Sequence, residues 1–133
     1  MQKKVLILCT GNSCRSIIAE ALINAELEGI FAQSSGVKAS GSVHPYAKKV
    51  LQAENIWKEC YHSKTLDTLI EQNYDLVVTV CENAKENCPV FPKTVKTLHI
   101  GFEDPAAKEF EAFEDTFRKI KNVLLSTIKK ELR

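Results

Sequence analysis

A chain of 133 residues with 18 basic and 17 acidic side chains carries a net charge of +1, which offers no electrostatic footprint for nucleic acid or an anionic membrane. No apolar run approaches the roughly 20 residues of a membrane span, and only Val5-Leu6-Ile7-Leu8 stands where a signal peptide would carry a longer apolar region. The expectation is one domain over residues 1–133, soluble and cytoplasmic, long enough to bury a real core.

Lys3 to Leu8 predicts a short buried strand. Ser16 to about Glu28 predicts a helix, with Ile17, Ile18, Ala21, Leu22 and Ala25 at helical spacing and Gly29 as its stop. Phe31 to Val37 predicts a second strand, closed by Gly36 and the Ser40-Gly41-Ser42 turn. Pro45 to about Asn55 reads as a helix with proline in its first turn, and a shorter helix is expected near Thr65 to Gln72. Tyr74 to Val80 is rich in β-branched residues and predicts a strand ending at Cys81. Val95 to Ile100 predicts a fourth strand. The last helix is expected from about Ala106 to Leu132. Phe110, Phe113, Phe117, Ile120, Leu124, Ile128 and Leu132 form its apolar stripe, which suits a core-facing seam better than a docking face for a partner. Lys129, Lys130 and Arg133 stand at its C-terminal end, where the helix dipole favours cations. Strands alternating with helices imply a three-layer α/β domain with a mainly parallel sheet. Ligands in such folds bind beyond the carboxyl ends of the strands, the edge on which Cys9 and Cys81 fall.

The segment Cys9-Thr10-Gly11-Asn12-Ser13-Cys14-Arg15-Ser16 therefore lies on a strand-to-helix turn. Backbone N–H groups of a tight loop and the positive end of the following helix make an anion site there. Arg15 adds a planar fork of donors matched to two anion oxygens, and the same field is expected to pull the Cys9 thiol toward thiolate. The loop from Cys9 through Thr10, Gly11, Asn12, Ser13 and Cys14 to Arg15 thus suits a tetrahedral oxyanion attacked by sulfur. Ser13 and Ser16 can donate hydrogen bonds to the thiolate or the anion, while Asn12 tolerates a left-handed backbone and can hold the loop in shape. Cys14 is either a second reactive thiol or a side chain facing away from the anion. The plain alternative is a glycine-containing turn with a buried cysteine.

Five cysteines, an odd number without secretory context, argue against a fixed set of structural disulfides. Cys81 and Cys88 are separated by six residues of a mostly polar segment, which is neither a thioredoxin-type CxxC nor a common zinc spacing. His99 and Cys60 are available as further ligands, but no second paired motif accompanies them. A redox pair or two packing cysteines remain. Asp104-Pro105 reads as an N-cap and first residue of the last helix, or, because it follows strand four on the same edge, as an acid that protonates a leaving oxygen. His44, His62 and His99 show no spacing that pairs them with a nucleophile, and Trp57, Tyr61 and Cys60 carry no specific signal.

The Cys9–Ser16 loop together with Asp104-Pro105 resembles the low-molecular-weight protein tyrosine phosphatase superfamily. Cys81 and Cys88 narrow the resemblance to the thioredoxin-coupled arsenate reductases built on that scaffold. It extends through Ser34-Ser35-Gly36, His44-Pro45, Asp75-Leu76-Val77-Val78-Thr79, Cys88-Pro89 and His99 to Ala106. The resemblance implies a four-stranded parallel sheet and reduction of arsenate to arsenite, with Cys9, Arg15, Ser16, Cys81, Cys88 and Asp104 catalytic. Phosphate or sulfate would bind as analogues, and a weak side phosphatase activity is implied. Cys9 would attack arsenic, Asp104 would help an oxygen leave, and the disulfides Cys9–Cys81 and then Cys81–Cys88 would form in turn before reduction by thioredoxin. It implies no bound cofactor and a monomer, with arsenical resistance as a cellular setting. Some relatives bind potassium at positions matching Asn12, Glu20 and Ser34 plus an aspartate. Here Thr65 stands at the aspartate position with Asp67 nearby. Ala106-Ala107-Lys108 replace the aromatic residues that line a phosphotyrosine cleft in the phosphatases. The rival readings are a phosphatase of that superfamily, a cysteine phosphocarrier and a redox sensor without substrate.

Overall fold

The computed structural model describes residues 2–82, 86, 91 and 94–132. Its first strand, β1 (Lys3–Cys9), passes from exposed lysine into five consecutive buried residues, Val5 to Cys9. Burial on every position is what a central parallel strand covered on both faces requires. After it come α1 (Arg15–Glu26), β2 (Ile30–Gly36), α2 (Pro45–Ala53), β3 (Leu76–Thr79), β4 (Thr97–His99) and α3 (Phe110–Glu131). The strands form one four-stranded sheet in the order β2-β1-β3-β4, with every pairing parallel. The α/β architecture and parallel sheet expected from the sequence are both present. No helix among the described residues is long and apolar enough to cross a membrane.

The register decides where the chemistry falls. Cys9 stands opposite Gly36 at the end of β1–β2, and Leu8 opposite Thr79 brings β3 to its end beside the same point. Cys81, two residues beyond β3, consequently reaches the carboxyl edge next to Cys9.

The stripe on α3 faces the core: Phe113, Ile120, Leu124 and Ile128 have no exposed surface, and Phe110 and Leu132 pack against the cluster from its margin. Burying each such side chain contributes about 1.5–3 kcal/mol relative to exposure. α1 and α3 pack on each other, and α2 packs on both. His44 closes the N-terminus of α2, its Nδ1 accepting from the Tyr46 N–H, and its ring lies 4.5 Å from that of Phe113.

Several boundaries differ from the sequence expectation: β3 (Leu76–Thr79) and β4 (Thr97–His99) are shorter than the Tyr74–Val80 and Val95–Ile100 segments, and three helical boundaries shift. The last helix begins at Phe110 and not near Ala106. Asp104 Oδ1 accepts from the Ala106 N–H and Pro105 O from the Lys108 N–H, so the Asp-Pro pair closes a separate turn, and Glu109 is extended before the helix starts. The short helix expected over Thr65 to Gln72 is a single 3-10 turn, Leu66–Thr68. α1 stops at Glu26, ahead of Gly29 with its φ of +79°.

One glycine is required by close approach. A Cβ at Gly36 would lie 2.5 Å from the Thr10 carbonyl oxygen, which is itself held by the Lys38 N–H. Gly36→Ala is therefore expected to destabilise the protein by about 1–3 kcal/mol through overpacking and to displace the loop at Thr10. Urea unfolding together with a phosphate-binding titration checks both effects.

Candidate active site

β1 ends at Cys9, residues 10–14 turn, and α1 begins at Arg15. The carbonyls of this turn are consumed from outside it. Cys9 O accepts from the Val37 N–H, Thr10 O from Lys38, Gly11 O from Ser40 and from the Ser63 hydroxyl, and Ser13 O from His44, all at 2.9–3.0 Å. With those acceptors occupied, the loop is left to meet a ligand with its N–H donors. α1 has no side-chain cap at its start and no acidic residue in its first turn, so its positive end stays open to an anion.

Asn12 takes φ 51°, the left-handed region that asparagine tolerates, and is fully buried. Its Nδ2 donates to Ser16 Oγ at 2.8 Å and to Ser34 Oγ at 2.9 Å, while its Oδ1 accepts from the Lys64 N–H at 2.9 Å. Ser34 Oγ in turn donates to Glu20 Oε1 at 2.5 Å. Burial raises the Glu20 carboxyl above the usual range, against the opposing pull of Lys64, Ser34 and His62. Ser16 is thus a buried acceptor for Asn12. The Ser13 hydroxyl lies 3.6 Å from Cys14 Sγ, and Cys14 itself is buried, with its thiol pushed up by that burial.

Cys9 and Cys81 are both buried, and their side chains are hydrogen-bonded to each other. Thr10 Oγ1 lies 3.2 Å from Cys81 Sγ, tying the second thiol to the loop. The hydrogen bond with Cys81 and, after it, burial push the Cys9 thiol up from its ordinary value; Arg15 and the Thr10 backbone pull it down. This corrects the expectation of a simply acidified Cys9. The cationic field is there, but the hydrogen bond with Cys81 and burial outweigh it.

Arg15 is anchored where it can serve an anion. Its Nη1 donates to the Phe102 carbonyl at 3.0 Å, and its Nη2 lies 3.5 Å from Asp104 Oδ2. Its buried Nε has no hydrogen-bond partner among the described residues. Arg15 is nearly buried, whereas the Asp104 side chain is 53% exposed, so the carboxyl sits at the solvent mouth of the site. Asp104 is thereby both the cap of a turn and a neighbour of the guanidinium.

Cys9, Thr10, Gly11, Asn12, Ser13, Cys14, Arg15, Ser16, Cys81 and Asp104 thus converge at one sheet edge. Cys88 lies outside the described residues. Cys60 is an exposed free thiol away from these groups. His99 bridges Thr79 Oγ1 and Glu82 Oε1, each at 2.9 Å, and His62 Nδ1 contacts the Cys60 carbonyl. Sequence reasoning passed over Ser63, Lys64 and the Phe102 carbonyl. They act through backbone groups or a lone side chain, and no spacing pattern marks such contacts.

The low-molecular-weight phosphotyrosine protein phosphatase model matches residues 4–133. The chain belongs to that family. Within it, an arsenate reductase of Staphylococcus aureus is 40% identical over 121 residues, covering 90% of this chain and 92% of the relative. The crystal structure of an arsenate reductase from Archaeoglobus fulgidus superposes with a TM-score of 0.81 at 30% identity, over 94% of this chain and 98% of the other. An arsenate reductase in the phosphate binding state gives a TM-score of 0.79 at 27% identity, over 97% and 98%.

Two outcomes follow from the geometry. In Cys81→Ala the largest influence holding the Cys9 thiol up is gone, so its thiolate should form at lower pH. The pH–rate profile of Cys9 alkylation by iodoacetamide, located by mass spectrometry, should move down; an unmoved profile contradicts the pairing. Arg15→Lys keeps the charge but loses the fork, and should weaken inorganic phosphate binding roughly 10- to 100-fold by calorimetry, the scale of one charge-assisted hydrogen bond.

Proposed function

We propose that this protein reduces arsenate to arsenite through a three-thiol relay regenerated by thioredoxin. The observation that carries the reading is the contact between Cys81 and Cys9 at the end of an anion loop. A hydrolase acting through Cys9 needs water as its second nucleophile and has no use for a second buried thiol in contact with the first. The 40% identical arsenate reductase points the same way.

In this reading the loop N–H groups and Arg15 hold the oxyanion while Cys9 sulfur bonds to arsenic and an oxygen leaves as water, Asp104 supplying a proton. Cys81 then attacks Cys9 sulfur. The S–S bond forms as the S–As bond breaks, its electron pair passes to arsenic, and arsenite departs with arsenic reduced by two electrons. Cys88 attacks Cys81 sulfur and expels the Cys9 thiolate, leaving Cys81–Cys88 for a thioredoxin dithiol to reduce. The contact between Cys9 and Cys81 has a use in this sequence. Once Cys9 sulfur is bonded to arsenic, Cys81 is already in range for the next exchange. Arsenate and phosphate share charge and shape, so a slow phosphatase side activity belongs to the same site.

Arsenate-dependent NADPH oxidation with thioredoxin and its reductase tests the proposal, and rapid phosphotyrosine hydrolysis without arsenate turnover would overturn it. The reduced chain has five free thiols, and one turnover with arsenate should leave three. Cys88→Ser should accumulate Cys9–Cys81; sustained turnover by that variant with thioredoxin would remove Cys88 from the relay.

A further inference from the structure

Potassium, which the family resemblance places at Asn12, Glu20 and Ser34, does not fit the oxygens present. Asn12 Oδ1 is engaged by the Lys64 N–H, so its amide turns two N–H donors, not a carbonyl, toward Ser16 and Ser34. The Ser34 oxygen accepts from Asn12 and spends its own hydrogen on Glu20. Asp67 stands exposed in the 3-10 turn, and Thr65 is drawn into a bridge with Gly36.

A positive charge nevertheless faces this cluster. Lys64 Nζ lies 3.9 Å from Glu20 Oε1 and donates to the His62 carbonyl at 3.1 Å, with only 14% of the Lys64 side chain exposed and 8% of that of Glu20. A carboxylate this deeply buried needs a counter-charge, and here the chain supplies it. The same residue is fixed by its backbone, with N–H on Asn12 and carbonyl on the Gly36 N–H at 2.9 Å. Lys64 therefore touches both ends of the Glu20–Ser34–Asn12 chain that sets the left-handed turn of the loop.

We infer that Lys64 is a built-in monovalent cation: its ammonium takes the place of potassium at Glu20 and positions the oxyanion loop through Ser34 and Asn12, making the site independent of the free ion. The inference rests on the oxyanion-binding reading of the loop and extends it. Lys64 is a positioning residue, since Asn12 stands between it and the ligand.

The test is inorganic phosphate binding and thermal unfolding in about 0.1 M potassium chloride against choline chloride of equal ionic strength, which holds screening constant. The native chain should bind phosphate equally in both. In Lys64→Met only Glu20 Oε1 and the His62 carbonyl lose the ammonium, and a potassium ion taken up in its place needs neither the Asn12 nor the Ser34 oxygen. The variant should bind phosphate about tenfold more weakly in choline and recover to within about twofold in potassium, the size of effect expected of a residue acting through the loop's supporting contacts. Its Tm should rise with potassium while the native Tm does not, and Lys64→Arg should stay close to native in both salts. Potassium strengthening the native chain, Lys64→Met unimpaired in choline, or impairment that potassium does not relieve would each overturn the inference. Should Lys64→Met fail to fold in choline, recovery of a cooperative transition in potassium supports the claim, and no recovery overturns it. Loss of phosphate binding by the native chain would strike the oxyanion reading itself. The potassium response of Tm would still decide the role of Lys64.

Discussion

The buried side chain of Asn12 is the constraint on which the site depends. Three hydrogen bonds leave it for three separate segments: Ser16 in the first turn of α1, Ser34 near the end of β2, and the backbone of Lys64 before the 3-10 turn. A left-handed residue in a loop is a conformation that most side chains pay to adopt, and here the surrounding bonds over-determine it. Once Asn12 is fixed, the turn before it and the helix after it have little freedom left. The outward carbonyls of Cys9, Thr10, Gly11 and Ser13 find their donors in the 37–44 segment and Ser63 because the loop is already curved to meet them.

Strand order performs the second task. Cys9 and Cys81 are separated by most of the sheet in sequence, yet the order β2-β1-β3-β4 makes β1 and β3 neighbours and lets both thiols emerge from the same edge. Parallel pairing is essential to this. Two antiparallel neighbours would have delivered the thiols to opposite ends of the sheet. The fold thereby turns a remote pair of residues into a contact whose effect on Cys9 outweighs that of the cationic Arg15.

Much of this was legible in the sequence because it rests on local signals. Continuous apolar runs marked β1 and β3, the three- and four-residue stripe marked α3, and a cysteine, a glycine and an arginine between strand and helix marked the anion loop. What escaped is non-local. The proton affinity of Cys9 depends on Cys81 touching it, and no count of residues conveys that contact. Lys64 looks like any surface lysine until Glu20 and Asn12 are seen on either side of it. The start of α3 was placed too early because Asp104-Pro105 carries the local signature of a helix start. Asp104 instead caps a turn and meets Arg15, so the competing contacts, and not the propensity, set the boundary. Cys88, to which only the family resemblance gives a part in the proposed relay, lies outside the described residues.

Arg15 ends up with an entropic advantage. A free arginine side chain surrenders about 1.5–2 kcal/mol of rotamer freedom when a ligand pins it. In this protein the Phe102 carbonyl and Asp104 have already immobilised the guanidinium, with Nε unpartnered among the described residues. In the proposed oxyanion-binding role, an incoming anion would meet a preset plane of donors and add bonds without ordering the arm that makes them. Such rigidity favours ligands whose oxygen spacing matches the plane over those that would need the arm to adapt, so the discrimination is built in before any ligand arrives.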